Sequence, residues 1–188
     1  MEVALDIVRL LKLRSLPDFH ETAGGCLALR RTDIAPMAYE VAVNAPPDLA
    51  TLDQIVSFAK GADEKMIRAL YALCNGLKIG ATKFAVYGVL SSVDRSDAID
   101  ALNTPWDLNI PNTYGRPSSW PENTLIVGVG TERPTDKAPY KVYHSVEDRA
   151  CIRVSPADNL DKALRSYSTV GDWLSQEVTR ALGDRNHY

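Results

Sequence analysis

The chain contains little of the chemistry that catalytic and metal sites require. Its 188 residues include three cysteines, Cys26, Cys74 and Cys151, and three histidines. The cysteines lie far apart and form no CxxC pair, which excludes a zinc ribbon or a thioredoxin-like motif and favours a reducing compartment. No set of His, Cys and Asp residues has the spacing of a metal site. We therefore expect neither a metal nor a cofactor.

The chain also lacks the signals of export and of membrane insertion. Residues 1–6 are acidic where a secretory signal peptide is basic. No apolar run approaches the roughly 18 residues that a membrane span needs. The formal net charge of −3 argues against general nucleic-acid binding, which requires clustered Lys and Arg. We expect a cytoplasmic protein without a membrane or nucleic-acid partner.

The histidines do not form a catalytic motif. His20-Glu21 lacks the second histidine of an HExxH zinc site. His144 precedes Ser145, but adjacent residues of a strand point to opposite faces, so this pair is poorly placed for nucleophilic catalysis. His187 lies near the end of the sequence. The sequence thus predicts no catalytic residue.

Two other motifs have simple structural interpretations. Gly128-Val129-Gly130 lacks the third glycine of a dinucleotide-binding loop, and the residues after it do not open a helix. We interpret it as a strand that leads into a turn. Cys74 falls on the apolar face of a predicted helix, which indicates a small buried residue rather than a reactive thiol.

Hydrophobic periodicity predicts four helices. The first covers residues 2–14 and the last follows a capping box formed by Thr169 and Asp172. Between them, one helix is predicted to begin at an N-cap, Thr51, and to end at Gly61. The next is predicted to end at Asn75-Gly76, because both residues tolerate the left-handed conformation.

The rest of the chain favours strands. Residues 15–25 are predicted as a loop and residues 103–123 as a long irregular connection. Predicted strands cover residues 26–31, 39–43, 84–90, 124–129, 140–144 and 150–154, the last two as a hairpin. Helices followed by consecutive strands and a final helix predict an α+β fold with a mainly antiparallel sheet and flanking helices. The break at residues 44–48 predicts an N-terminal extension, 1–45, and a domain, 46–188.

The connection over residues 103–123 is the best candidate contact surface. Trp, Tyr and Arg are enriched at binding hot spots, and the connection combines them in its candidate partner contacts, which are Trp106, Asn109, Tyr114, Arg116 and Trp120. Two interpretations stay open. The aromatic side chains pack onto the sheet and cover its edge, or the connection contacts a partner protein.

The order of several motifs resembles the SMI1/KNR4 (SUKH) superfamily. The match covers about residues 50–182. In chain order the motifs are the helix end at Leu70 to Gly76, Val86-Tyr87-Gly88, Asn109 or Asn112 followed by Arg116-Pro117, the strand at 125–128, the hairpin at 141–154 and the helix start at 168–174. The resemblance implies a SUKH-like α+β fold and a non-enzymatic role.

Many bacterial members of the superfamily resemble immunity proteins that bind and neutralise a toxin, often a nuclease. Eukaryotic members resemble regulatory or scaffold modules. The resemblance therefore implies a protein-binding module, an immunity protein whose partner is a toxin domain. Two alternatives stay open. One is a scaffold or regulatory protein, and the other is an enzyme on an unrecognised fold, which predicts a pocket where Asp107, Arg116 and His144 converge.

Overall fold

A computed structural model describes residues 18–30, 39–58, 64–80, 83–90, 98, 103–131, 141–146 and 151–183. In this part of the chain, a single antiparallel sheet has nine strands whose spatial order follows their order in the chain. The strands are β1 (Phe19–Glu21), β2 (Leu27–Arg30), β3 (Tyr39–Val43), β4 (Leu77–Ile79), β5 (Phe84–Val86), β6 (Ile126–Gly130), β7 (Lys141–Val146), β8 (Cys151–Pro156) and β9 (Arg165–Tyr167). The predicted α+β class with a mainly antiparallel sheet is confirmed.

Three α-helices of the described residues accompany the sheet: α1 (Leu49–Phe58), α2 (Glu64–Tyr71) and α3 (Val170–Gly183). The first two lie between β3 and β4 in the chain, and α3 follows β9. The helix predicted over residues 2–14 lies outside the described residues. Within them, no helix combines the length and the hydropathy that crossing a membrane requires.

The N-cap of α1 is Asp48, and the prediction of Thr51 was wrong. The Asp48 carboxylate accepts a hydrogen bond of 2.7 Å from the backbone N–H of Thr51, which lowers the pKa of Asp48 below its ordinary value. Both residue types cap helices well. They stand three positions apart, and the helix begins after the first of them.

Helix α2 ends at Tyr71, four residues before the predicted stop at Asn75-Gly76, and those two residues form the turn into β4. Gly76 has a φ of +95°, a conformation that glycine adopts without strain. The side chain of Asn75 accepts a hydrogen bond from the Val89 N–H at 2.7 Å and donates one to the Val89 carbonyl at 2.9 Å. It thus pairs with the backbone beyond β5 as a neighbouring strand does.

The strand predictions found β2, β3, β5, β6 and the hairpin of β7 and β8, and they missed β1, β4 and β9. The strand at 39–43, the strand in β6 and the hairpin of β7 and β8 are confirmed. The loop predicted over 15–25 was wrong at β1, although Gly25, with φ +78°, does sit in a turn. No strand was predicted at β4. The missed strands are three residues long and show little alternation, whereas β5, equally short, was recognised because it begins the β-rich run predicted at 84–90.

The sheet runs across the predicted boundary between residues 45 and 46. Val41 pairs with Ile79, and Val43 pairs with Leu77, so β3 joins β4 directly. The described strands before the boundary therefore share one sheet with those after it. The division into an extension and a domain stays a prediction.

The main core lies where the helices meet the sheet. Phe84 packs edge-on against Tyr143 and Trp173, with ring centroids 5.2 and 5.8 Å away. Gly128 lies in β6 beneath these rings, where a Cβ atom would stand 2.6 Å from the Ala85 carbonyl oxygen. The glycines of Gly128-Val129-Gly130 therefore belong to a strand, as interpreted from the sequence, and allow close packing.

Candidate functional site

The connection over residues 103–123 places Leu108 in the main core and Trp120 on the face of the sheet that α3 does not cover. Val142 and Tyr143 are neighbours in β7, so their side chains point to opposite faces. Tyr143 meets Trp173 of α3. Val142 belongs to a second group, called here the small cluster, which consists of Ile126, Val142 and Leu160 with the partly buried Tyr87, Trp120 and Ala157.

The connection contains a π-helical turn, Ile110–Tyr114. The Gly115 N–H donates a hydrogen bond of 2.6 Å to the Ile110 carbonyl, which closes the turn over five residues. Such turns are rare and recur at functional sites. The side chains of Ile110 and Tyr114 are 56% and 85% exposed. The turn therefore presents an aliphatic and an aromatic side chain to solvent, and we call this pair the turn face.

Asn112 fixes the turn to the sheet. Its side-chain NH₂ donates to the Leu108 and Ile126 carbonyls at 2.9 and 2.8 Å. Its oxygen accepts a hydrogen bond of 2.8 Å from the Ile126 N–H. Asn112 thus takes the place of a strand partner for Ile126, at the end of β6. The backbone under the turn face is held by three hydrogen bonds from one side chain.

Four of the five predicted contact residues have partners within the protein. Trp106 is half-buried, with its ring centroid 6.3 Å from that of Tyr87, and Trp120 packs against the small cluster. Arg116 donates to the Thr124 carbonyl at 2.9 Å and to the Pro121 carbonyl, while Asn109 donates to the Asp107 carboxylate. Tyr114 is the predicted residue that points to solvent.

The side chains predicted to converge in an enzyme pocket bond to different groups. Asp107 accepts two hydrogen bonds of 3.0 Å from Asn109, and Arg116 bonds to carbonyl groups of its own connection. His144 lies between the Ser145 carbonyl and the Ser155 hydroxyl, each 3.1 Å away. Within the described residues, no hydrogen bond or ion pair joins any two of Asp107, Arg116 and His144.

A buried carboxylate cross-links the other face of the sheet. Glu177 of α3 is 2% exposed, and its two oxygens accept hydrogen bonds of 2.5 Å from the hydroxyls of Tyr143 and Tyr167. Three cations also approach it, which are Lys141, Arg165 and Arg180. This network ties β7 and β9 to α3, and we interpret it as structural. The sequence does carry a signal for it, because Glu177 stands four residues after Trp173 on the apolar helix face.

Thiol and metal chemistry is not apparent in the described residues. Cys74 is buried, as predicted, and burial raises its pKa to about 11, so its thiolate form is scarce at neutral pH. Cys26 is also buried. In the same part of the chain, no three His, Cys, Asp or Glu side chains are grouped as metal ligands.

Comparisons with protein-family models, with curated proteins and with solved structures find no match to this chain. The SUKH-like character therefore stays a hypothesis that rests on the order of the sequence motifs. What indicates a function is that order together with the geometry of the π-helical turn.

Proposed function

We propose that this protein is a non-enzymatic, protein-binding module whose contact surface is the turn face, Ile110 and Tyr114. The observation that carries the proposal is an exposed tyrosine on a backbone that is held to the sheet. Tyrosine is enriched at binding hot spots. An aromatic side chain on an already ordered turn loses little conformational freedom when a partner binds.

The hydrogen bonds under the turn account for that order. Asn112 bonds to both backbone groups of Ile126, and Arg116 bonds to two carbonyls further along the connection. Trp106 packs against Tyr87, and Trp120 packs against the small cluster. These residues act indirectly, since they hold the turn while Ile110 and Tyr114 make the contact.

We further propose that the partner is a toxin domain and that the protein acts in the cytoplasm as an immunity protein with a SUKH-like fold. The order of motifs shared with that superfamily supports this class of partner. The net charge of −3 also suits a basic partner such as a nuclease, because opposite charge accelerates association. A scaffold or regulatory role predicts the same surface with a different partner.

The experiment begins with the product of the gene next to the one that encodes this chain, which the immunity role predicts to be a toxin. Co-expression tests protection, and calorimetry measures the dissociation constant for the wild type, Ile110→Ala and Tyr114→Ala. Truncating a hot spot weakens binding by about tenfold or more, and we expect this of Tyr114→Ala. Leu49→Ala is the matched control, because Leu49 is 77% exposed on α1.

The outcomes separate the proposals. Loss of affinity in Tyr114→Ala but not in Leu49→Ala supports the turn face. Equal affinity of all variants would mean that the contact surface lies outside the turn face. If the neighbouring gene product neither binds this protein nor is neutralised by it, the immunity role is lost. Capture of a housekeeping complex from the host through Tyr114 supports the scaffold role instead.

A further inference from the structure

A buried histidine lies close to the turn that follows β8. His144 in β7 is 3% exposed. Its partners across the sheet are Ile126 in β6 and Arg153 in β8. Residues 157–164, called here the β8–β9 turn, place Leu160 in the small cluster on the same face. The imidazole is thus enclosed by two strands and by a turn.

When the His144 ring is neutral, two acceptors compete for the single proton of the Ser155 hydroxyl. Nδ1 lies 3.1 Å from the Ser145 carbonyl, which only accepts, so Nδ1 carries a proton. Nε2 lies 3.1 Å from the Ser155 hydroxyl, and that hydroxyl donates its single proton to the Leu160 carbonyl at 2.9 Å. With a neutral ring, Nε2 and the Leu160 carbonyl therefore compete for the Ser155 proton.

Protonation of the ring completes one hydrogen bond but buries a charge. The added Nε2–H donates to Ser155, which leaves the hydroxyl proton to Leu160. The cost of enclosing an ion exceeds the gain from one hydrogen bond. Burial, with a smaller contribution from the positive charge of Arg153, lowers the pKa of His144, although the Ser145 carbonyl opposes the shift.

The other groups around the ring do not compensate the charge. Ile126, Val142 and Leu160 present apolar side chains. The charged side chains of the β8–β9 turn, Asp158, Asp161 and Lys162, are exposed to solvent. Of the charged groups in the described part of the chain, Arg153 is the one that acts on the ring, and its charge has the same sign as the imidazolium.

We propose that His144 is an acid-operated latch, in which a neutral ring lies under a closed β8–β9 turn and a protonated ring gains water when that turn opens. The turn is the element that yields, because Ile126 in β6 is held by β7 and by Asn112, and β8 is held by β7 and β9. The Asn159 and Leu164 N–H groups hold the turn, with bonds of 3.1 and 2.8 Å to the Pro156 and Val154 carbonyls.

The latch also reaches the connection that carries the turn face. Leu160 and Trp120 pack in the small cluster, so an open β8–β9 turn removes part of the support beneath Trp120. Acidification is therefore expected to loosen the connection as well. The latch itself does not depend on the identity of any binding partner.

The wild-type protein tests the latch directly by NMR. The ring nitrogens of His144 are titrated from pH 8 to pH 5, and amide exchange at Asn159 and Leu164 is followed in the same samples, corrected for the intrinsic pH dependence. The pKa of His144 in the closed protein lies below the ordinary value of about 6.5. Protection of the two turn amides is therefore expected to fall as the pH drops from about 6.5 to that lowered pKa. Each unit by which the pKa of His144 is lowered corresponds to about a tenfold loss of protection.

Amides of β7 provide the reference, because their exchange reports opening of the sheet. Protection at Leu164 that falls below about pH 6.5, levels off below the titration midpoint of His144 and falls less in β7 supports the latch. If exchange of the turn amides does not change as His144 titrates, the latch is overturned. It is also overturned if the turn amides and the β7 amides lose protection in parallel, because destabilisation of the whole protein then accounts for the effect.

Variants sharpen the same measurement. His144→Gln is expected to remove the pH dependence of the turn, and Arg153→Gln to reduce it, because removing the like charge raises the pKa of His144. Lys162→Gln is the matched control on the exposed side of the turn and is expected to behave as the wild type. If His144→Gln does not fold, the wild-type titration still decides the question.

Discussion

The two faces of the sheet are held in different ways. Under α3, large side chains from regular elements interlock, with Phe84, Tyr143 and Trp173 at the centre. On the opposite face three buried side chains form the small cluster. There, irregular backbone is held by Asn112, Arg116 and Ser155, whose side chains bond to main-chain groups.

This difference underlies our proposal that the helix-covered face carries stability and that the opposite side carries the contact surface. A packed aromatic core resists change, because every side chain in it has many neighbours. Irregular backbone can be reshaped by changing a few polar side chains, and binding residues are commonly found on such connections. The turn face and the His144 latch both lie on the second side.

The largest expected loss of stability concerns the face of the sheet that α3 covers. Glu177→Gln removes the charge that faces the buried Lys141 and accepts from Tyr143 and Tyr167. Breaking a buried ion pair by neutralising one partner costs about 3–5 kcal/mol. We expect a loss of that size in the free energy of unfolding, measured by urea denaturation.

The control for this variant is Glu64→Gln. Glu64 pairs with Arg68 at 2.7 Å on the exposed surface of α2, and exposed pairs contribute little. Its denaturation midpoint is expected to stay close to that of the wild type. If the two variants lose equal stability, the Glu177 network is not what ties α3 to the sheet.

A smaller effect is expected from Asn112→Ala on the connection side. The variant leaves the Ile126 N–H and carbonyl without their partner, and an unpaired buried polar group costs about 1–3 kcal/mol. Asn75→Ala is a matched comparison, because Asn75 bonds to both backbone groups of Val89 in the same manner. Both variants should lose stability in urea.

The two asparagine variants differ in where they loosen the chain. Amide exchange at Gly115, whose N–H closes the π-helical turn, is expected to accelerate in Asn112→Ala and to stay unchanged in Asn75→Ala. Equal exchange in both would mean that the turn keeps its shape without Asn112, and the proposed role of that residue as an anchor would be wrong.

The parts of the fold that could be predicted are those specified by neighbouring residues. The strand at 39–43, the hairpin of β7 and β8 and the capping box at Thr169 follow from alternation and local hydrogen bonding, and the N–H of Asp172 does bond to the Thr169 hydroxyl at 3.0 Å. The left-handed turn at Gly76 is of the same kind, although α2 ends before it, at Tyr71. The three-residue strands β1 and β4 are specified by their partners in the sheet, and the sequence around them shows no such pattern.

The site shows the same limit. Tyr114 was predicted as a contact residue from its chemistry, and the structure shows that it is exposed. Ile110 was missed, because an apolar residue between aromatic ones is expected to pack inward. Asn112 was missed as an anchor, because its partner Ile126 lies 14 residues away. Glu177 was missed as a buried carboxylate, because its partner Tyr143 lies 34 residues away. The place of Glu177 on the apolar face of α3 is a signal of burial, but the identity of such distant partners leaves no periodic trace in a single sequence.

The smallest effect on stability is expected at the turn face itself. Tyr114→Ala removes a ring that is 85% exposed, and surface substitutions change stability by about 0.5 kcal/mol or less. Trp120→Ala removes a half-buried ring from the small cluster, which corresponds to about 1–2 kcal/mol of apolar burial. Urea denaturation of the two variants therefore separates a side chain that supports the connection from one that is free to bind.

That separation also tests the contrast between the faces of the sheet. A stable Tyr114→Ala variant that loses its partner assigns Tyr114 to contact alone, because the fold beneath it is unchanged. A stability loss as large as that of Trp120→Ala would instead make Tyr114 part of the packing, and its loss of binding would no longer identify a contact residue. The turn face would then have to be reduced to Ile110, and the contact surface sought along the rest of the connection.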